Sequence, residues 1–152
     1  MRKLTLLGLL LAIASSGAFG QAERPDPKSE TEARNLETIR LWGEEVWGNG
    51  RLELVPDLVA PQYVRHNADG TRTVTPESYA REIEAARARN TTFTRNAMAI
   101  EGDFVWMRWS FRTESSDGRE MEGRGLQIYR LENGKLAETW TLSVRDGAWS
   151  DN

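Results

Sequence analysis

The sequence predicts an α+β fold in which a cone-shaped, curved antiparallel sheet wraps around about three N-terminal helices. Three observations predict it. Residues 103–144 are rich in Val, Ile, Thr and aromatic side chains, which suit a pleated, half-buried surface. Two turn signals, Ser115-Ser116-Asp117-Gly118 and Glu132-Asn133-Gly134-Lys135, divide them into three strands, and Asn-Gly is a strong hairpin signal. Upstream, apolar residues recur at helical spacing, so the helices come first and cover one face of the sheet.

Residues 1–20 stand apart from that fold. Arg2 and Lys3 precede an apolar run from Leu4 to Ala14, and Ser15, Ser16, Gly17 and Ala18 are small, the pattern of a secretory signal peptide. Cleavage is expected after Gly20, before Gln21, or after Ala22, before Glu23. A membrane anchor is the competing reading, but the run is too short to span a bilayer comfortably. The mature protein is therefore expected to be exported, periplasmic or secreted, with no membrane partner. Residues 21–28, QAERPDPK, read as a flexible polar linker broken by Pro25 and Pro27, and residues 29–152 as one domain.

Ser29 and Glu32 form a capping pattern that starts a helix, with Leu36, Ile39, Gly43, Val46 and Trp47 on one stripe. Gly43 weakens a helix relative to alanine and marks a place for close approach. Gly48-Asn49-Gly50 stops the helix. A short irregular helix is expected over 51–60, with Leu52, Val55, Leu58 and Val59 inward and Pro61 ending it. A strand over 62–67 and a turn at 67–70 follow. Thr75 and Pro76 open a third helix, with Tyr79, Ile83 and Ala86 inward and Arg81, Arg87 and Arg89 toward water. Residues 91–100 form the strand leading into the meander.

The 152-residue chain carries a net charge of −3, and removing residues 1–20 leaves 18 basic against 23 acidic residues. That balance argues against nucleic acid as a partner. With no cysteine and one histidine, disulfides, thiolate chemistry and multi-histidine metal sites are excluded. No phosphate loop or nucleophile elbow is present, and neither metal nor cofactor is expected.

The stretch LWGEEVWGNGRLELVPDLVAPQYVRHN resembles the opening of SnoaL-like, polyketide-cyclase-like domains of the nuclear transport factor 2-like superfamily. VWMRWSFR and GLQIYRLENGKLAETW resemble its closing strands. The resemblance spans about residues 33–145. It implies a cone with an open end, frequent dimerisation, and either isomerase, cyclase or hydrolase chemistry or plain binding. The acid/base aspartate and histidine of the family's cyclases align with Thr141 and Gln127, which do not titrate near neutral pH. The carboxylate base of related ketosteroid isomerases falls at about His66.

His66 is the one side chain whose ordinary charge change lies near neutrality, and at a strand end beside the cone it is the candidate general base; hydrogen bonding to the following turn is the alternative. Trp42, Tyr63, Trp109, Gln127, Tyr129, Thr139 and Thr141 are the expected pocket. A three-residue hairpin loop setting Gln127 opposite Thr139 is preferred over a two-residue loop setting it opposite Trp140. Arg108 and Arg124 either hold a ligand carboxylate or pair with Glu122 or Glu138. Both faces of the strand at 104–111 carry large apolar groups, so one should meet the helices and the other a second subunit. Two functions remain open. One is an isomerase- or cyclase-type enzyme acting on a small, mostly apolar molecule through His66. The other is a non-catalytic ligand-binding or dimerisation module.

Overall fold

The computed structural model describes residues 24–145 together with Gly147 and Trp149. The expected signal segment and both cleavage positions lie outside the described residues. Residues 24–28 take no helix or strand.

Helix α1, Glu30–Leu41, starts where the Glu32 amide donates to Ser29 Oγ (3.1 Å). The Glu32 carboxylate does not complete a capping box on Ser29. It accepts the Lys28 amide at 2.6 Å and, across the domain, the Gly102 amide at 2.9 Å. The helix runs on as a π-helical segment, Trp42–Gly48. Its wider turn sets Trp42 and Trp47, five residues apart, edge to face at 6.3 Å. The second helix is shorter than expected: a 3-10 turn at Leu52–Leu54 leads into α2, Val55–Leu58. Strand β1, Val59–Asn67, takes over before Pro61, which sits at the irregular part of that strand. Helix α3, Pro76–Arg87, has the expected Thr75 cap, and Tyr79 and Ile83 are buried. Arg87 is not a solvated side chain. It donates to the carbonyls of Trp47 and Gly48 (3.0 Å to Gly48), closing the end of the π-helical segment.

Strands β2 (Gly70–Val74), β3 (Thr92–Glu101), β4 (Phe104–Glu114), β5 (Glu120–Glu132) and β6 (Lys135–Val144) complete a curved, unclosed sheet of order β2-β1-β6-β5-β4-β3. β2 was not foreseen: its residues, GTRTV, are mostly exposed and carry little apolar signal. The sheet is also not wholly antiparallel, because β1 pairs with β6 in parallel, His66 opposite Trp140.

The β5–β6 register differs from both expected alternatives. Asn133 (φ 54°) and Gly134 (φ 79°) form the two-residue turn that Asn-Gly favours, with Glu132 opposite Lys135. An extra residue at Ala137 then shifts the pairing, so Gln127 faces Thr141 and Tyr129 faces Thr139. The four side chains share one face, as expected, because the bulge restores the parity that the turn alone would have reversed.

The concave face and the helices enclose the core, in which Leu36, Val46, Val59, Ile83, Val105 and Leu136 are at most 1% exposed. On β4, Val105 and Trp109 are buried inward, whereas Phe104 and Trp106 are 36% and 38% exposed on the convex face.

Candidate functional site

Between α1 with its π-helical extension, α3 and the concave sheet lies an open-mouthed cavity of about 140 Å³. Aromatic rings build one wall. Tyr63 packs on Tyr79 (5.4 Å), Tyr79 stacks on Trp42 (5.5 Å), Trp47 meets Phe93 edge-on (4.8 Å), and Phe93 meets Trp109 (5.4 Å). Such pairs contribute about 1 kcal/mol each beyond their burial, so this wall is preformed. Trp109 lies over β5 because residue 125 has no side chain; a Cβ there would sit 2.5 Å from the indole ring.

Of the residues expected in the pocket, Trp42, Trp109, Gln127, Tyr129 and Thr141 line the cavity. Tyr63 and Thr139 lie beneath the wall with no exposed surface. Thr139 donates to the Ile128 carbonyl (2.9 Å) and accepts from Gln127 Nε2 (3.1 Å), which fixes the amide at the cavity floor.

His66 does not reach this cavity. Side chains alternate along a strand, and β1 turns Tyr63 and Arg65 inward, so His66 faces the convex side. There its ring stacks on Trp140 (5.2 Å, 4°), Nδ1 meets Thr71 Oγ1 and Nε2 meets Glu138 Oε1, both at 2.8 Å. Hydrogen bonding from His66, and then from Arg130, holds the Glu138 carboxyl below its usual range. The imidazole is engaged on both nitrogens and separated from the cavity by the sheet, so it is not placed as a base for a molecule bound there.

Among the lining residues that sequence reasoning did not place in the pocket, two are charged, Arg65 and Arg95. Arg65 is neutralised by Glu82 (3.0 Å), which Arg72 shares, and its guanidinium lies 4.3 Å from the Tyr79 ring centre. Arg95 has no carboxylate within ion-pair distance among the described residues, and its Nε is buried without a partner. Trp109 Nε1 and Thr141 Oγ1 are buried and unpartnered in the same wall. Burial pushes the phenols of Tyr79 and Tyr129 above their ordinary value, so both stay neutral. The wall is thus mostly aromatic, rich in hydrogen-bond donors and, among the described residues, without a carboxylate or imidazole.

Arg108 and Arg124 are elsewhere, on the convex side, where both guanidinium groups lie over the Trp149 ring at 5.4 and 5.3 Å. Glu122 pairs instead with Arg112, and Glu138 with Arg130 and His66. Among the described residues no group of His, Cys, Asp or Glu is arranged to hold a metal ion.

The model of the SnoaL-like domain family matches residues 40–139, more than half of the chain. Solved structures share the fold. A polyketide cyclase candidate from Bacillus cereus superposes with a TM-score of 0.67 at 21% identity, covering 87% of this chain and 90% of its own. IdmH from Streptomyces antibioticus, also a polyketide cyclase candidate, gives 0.60 at 25% identity over 72% and 91%. A nuclear transport factor 2-like protein of unknown function from Mesorhizobium loti gives 0.62 at 20% over 78% and 97%. No curated protein matches the chain.

Proposed function

The chain belongs to the SnoaL-like domain family, and on that footing we propose that its cone binds and orients a small, mostly apolar molecule rather than turning it over by acid–base catalysis. One observation carries the reading: a preformed aromatic cavity whose wall holds unpartnered donors but, among the described residues, no group that takes up or releases a proton near neutral pH. A volume of about 140 Å³ suits one or two rings, with the rest of a larger molecule in the mouth. A cyclase or isomerase reading would need a base in this wall. His66 does not supply one, because it lies across the sheet.

The test is a thermal-shift screen with small aromatic carbonyl compounds, followed by turnover assays on every hit. Saturable stabilisation without product supports the reading. Turnover that survives His66→Gln would show an acid–base group other than those named; turnover lost on that change would restore His66 as a base.

Two expectations from the sequence stand as part of the proposal. The convex face exposes Phe104, Trp106, Leu126, Leu142 and Val144, an apolar patch suited to a second copy of the chain. Sedimentation at micromolar concentration should give a dimer that Leu126→Lys dissociates, and a monomeric wild type would remove this part. Export rests on residues 1–20, and cell fractionation with N-terminal sequencing of the mature chain tests it.

A further inference from the structure

We propose that the molecule taken by the cavity carries a carboxylate and that Arg95 receives it. This rests on the reading of the cone as a ligand site and adds the class of ligand.

Two guanidinium groups, those of Arg65 and Arg95, stand in one wall. Arg65 has its counter-charge in Glu82 at 3.0 Å, although its Nε is likewise buried without a partner. Arg95 has none among the described residues. Glu44 acts on it through space, but Glu44 Oε2 is held by Arg40 at 2.7 Å, and Arg24 opposes that influence. A guanidinium left partly buried without an anion is costly, and protein interiors rarely retain one without a partner. The strand geometry places further donors around it. Arg95 is directly opposite Trp109 across the β3–β4 ladder, and both Arg95 Nε and Trp109 Nε1 lack acceptors. Nearby on the same face Gln127 pairs with Thr141, whose hydroxyl is also unpartnered. A neutral apolar ligand would leave that charge and those donors buried and unmatched. A planar carboxylate fits a guanidinium fork with two parallel hydrogen bonds while its ring lies against the aromatic wall.

The probes are cinnamate and methyl cinnamate, titrated calorimetrically at about 50 mM and again at about 0.5 M salt. The wild type should bind the acid at least about tenfold more tightly than the ester, and salt should weaken only the acid. Arg95→Gln should abolish the preference, while Arg95→Lys keeps part of it. Equal wild-type affinities, or a preference that survives Arg95→Gln, would overturn the carboxylate assignment while leaving the pocket intact. Binding of neither probe would overturn the pocket reading along with it. Where Arg95→Gln fails to fold, the wild-type comparison still decides the carboxylate, and a preference undiminished in Arg95→Lys would overturn Arg95 as its receiver.

Discussion

At the end of the sheet that carries the turns 102–103 and 133–134, Glu32, Asn35 and Thr38 stand three residues apart along α1. Glu32 accepts the Gly102 amide, Asn35 Nδ2 donates to the Gly102 carbonyl (3.1 Å) and Asp103 Oδ1 (3.3 Å), and Thr38 donates to the Gly134 carbonyl (2.6 Å). All three side chains are buried, and only Asn35 Oδ1 lacks a partner. In the cavity wall Arg95, Trp109 and Thr141 are also turned inward, yet each keeps a polar atom unmatched. The first set pins a helix to two hairpins and leaves a single atom, Asn35 Oδ1, unmatched. In the second set the polar atoms of Arg95, Trp109 and Thr141 find no partner among the described residues, and the ligand proposed above would complete them. Buried polarity that is satisfied supports architecture; buried polarity that is unsatisfied in a preformed hollow marks where a molecule goes.

The contrast can be broken by mutation. Asn35→Leu strands the Gly102 carbonyl and the Asp103 carboxylate, and should cost about 3 kcal/mol, read as a fall of roughly 10 °C in Tm by calorimetry. A shift under about 2 °C would mean that the turn end is not held this way. Gly125→Ala forces its Cβ into the Trp109 ring. It should cost about 2 kcal/mol by chemical denaturation and weaken any cavity ligand about tenfold as the indole shifts.

Acid gives a smaller, directional effect. The amides of Lys28 and Gly102 hold the Glu32 carboxyl below its ordinary value. Its folded value is depressed, so its contribution is fully present above the unfolded value of about 4.3. That contribution is lost as pH falls through the lower folded value. Glu32→Gln should therefore lower Tm at pH 7, and the gap to the wild type should narrow at pH 3; a gap of constant size would remove the carboxylate from the account. The smallest effect is expected at Arg95. Arg95→Met removes a charge without a counter-charge, so denaturation should show stability unchanged or raised by about 0.5 kcal/mol. A loss of 2 kcal/mol or more would make Arg95 a structural residue.

Much of the fold was legible because period and punctuation agreed. The stripe Leu36, Ile39, Val46, the Thr75-Pro76 cap and the Asn-Gly turn each stand where the residues place them. β2 was hidden because an exposed edge strand needs no apolar alternation. The outward direction of His66 follows from strand period. With Tyr63 inward, period two turns Arg65 inward and His66 out. Arg95 was less accessible. A bulge between Arg95 and Ala97 breaks the alternation, so counting back from Met98 and Ile100 puts Arg95 on the wrong face. Tertiary register, which no local pattern encodes, decided that residue.

The parallel seam between β1 and β6 also orders events in time. During synthesis from the N-terminus, the β1–β2 hairpin emerges while the strand that ties it to the rest of the sheet is still unmade. Pairing then closes a long loop between the first strand and the last. Chains that stop short of residue 135 would keep every helix, the β1–β2 hairpin and the three-stranded β3–β4–β5 meander, yet have nothing to join the two into one sheet.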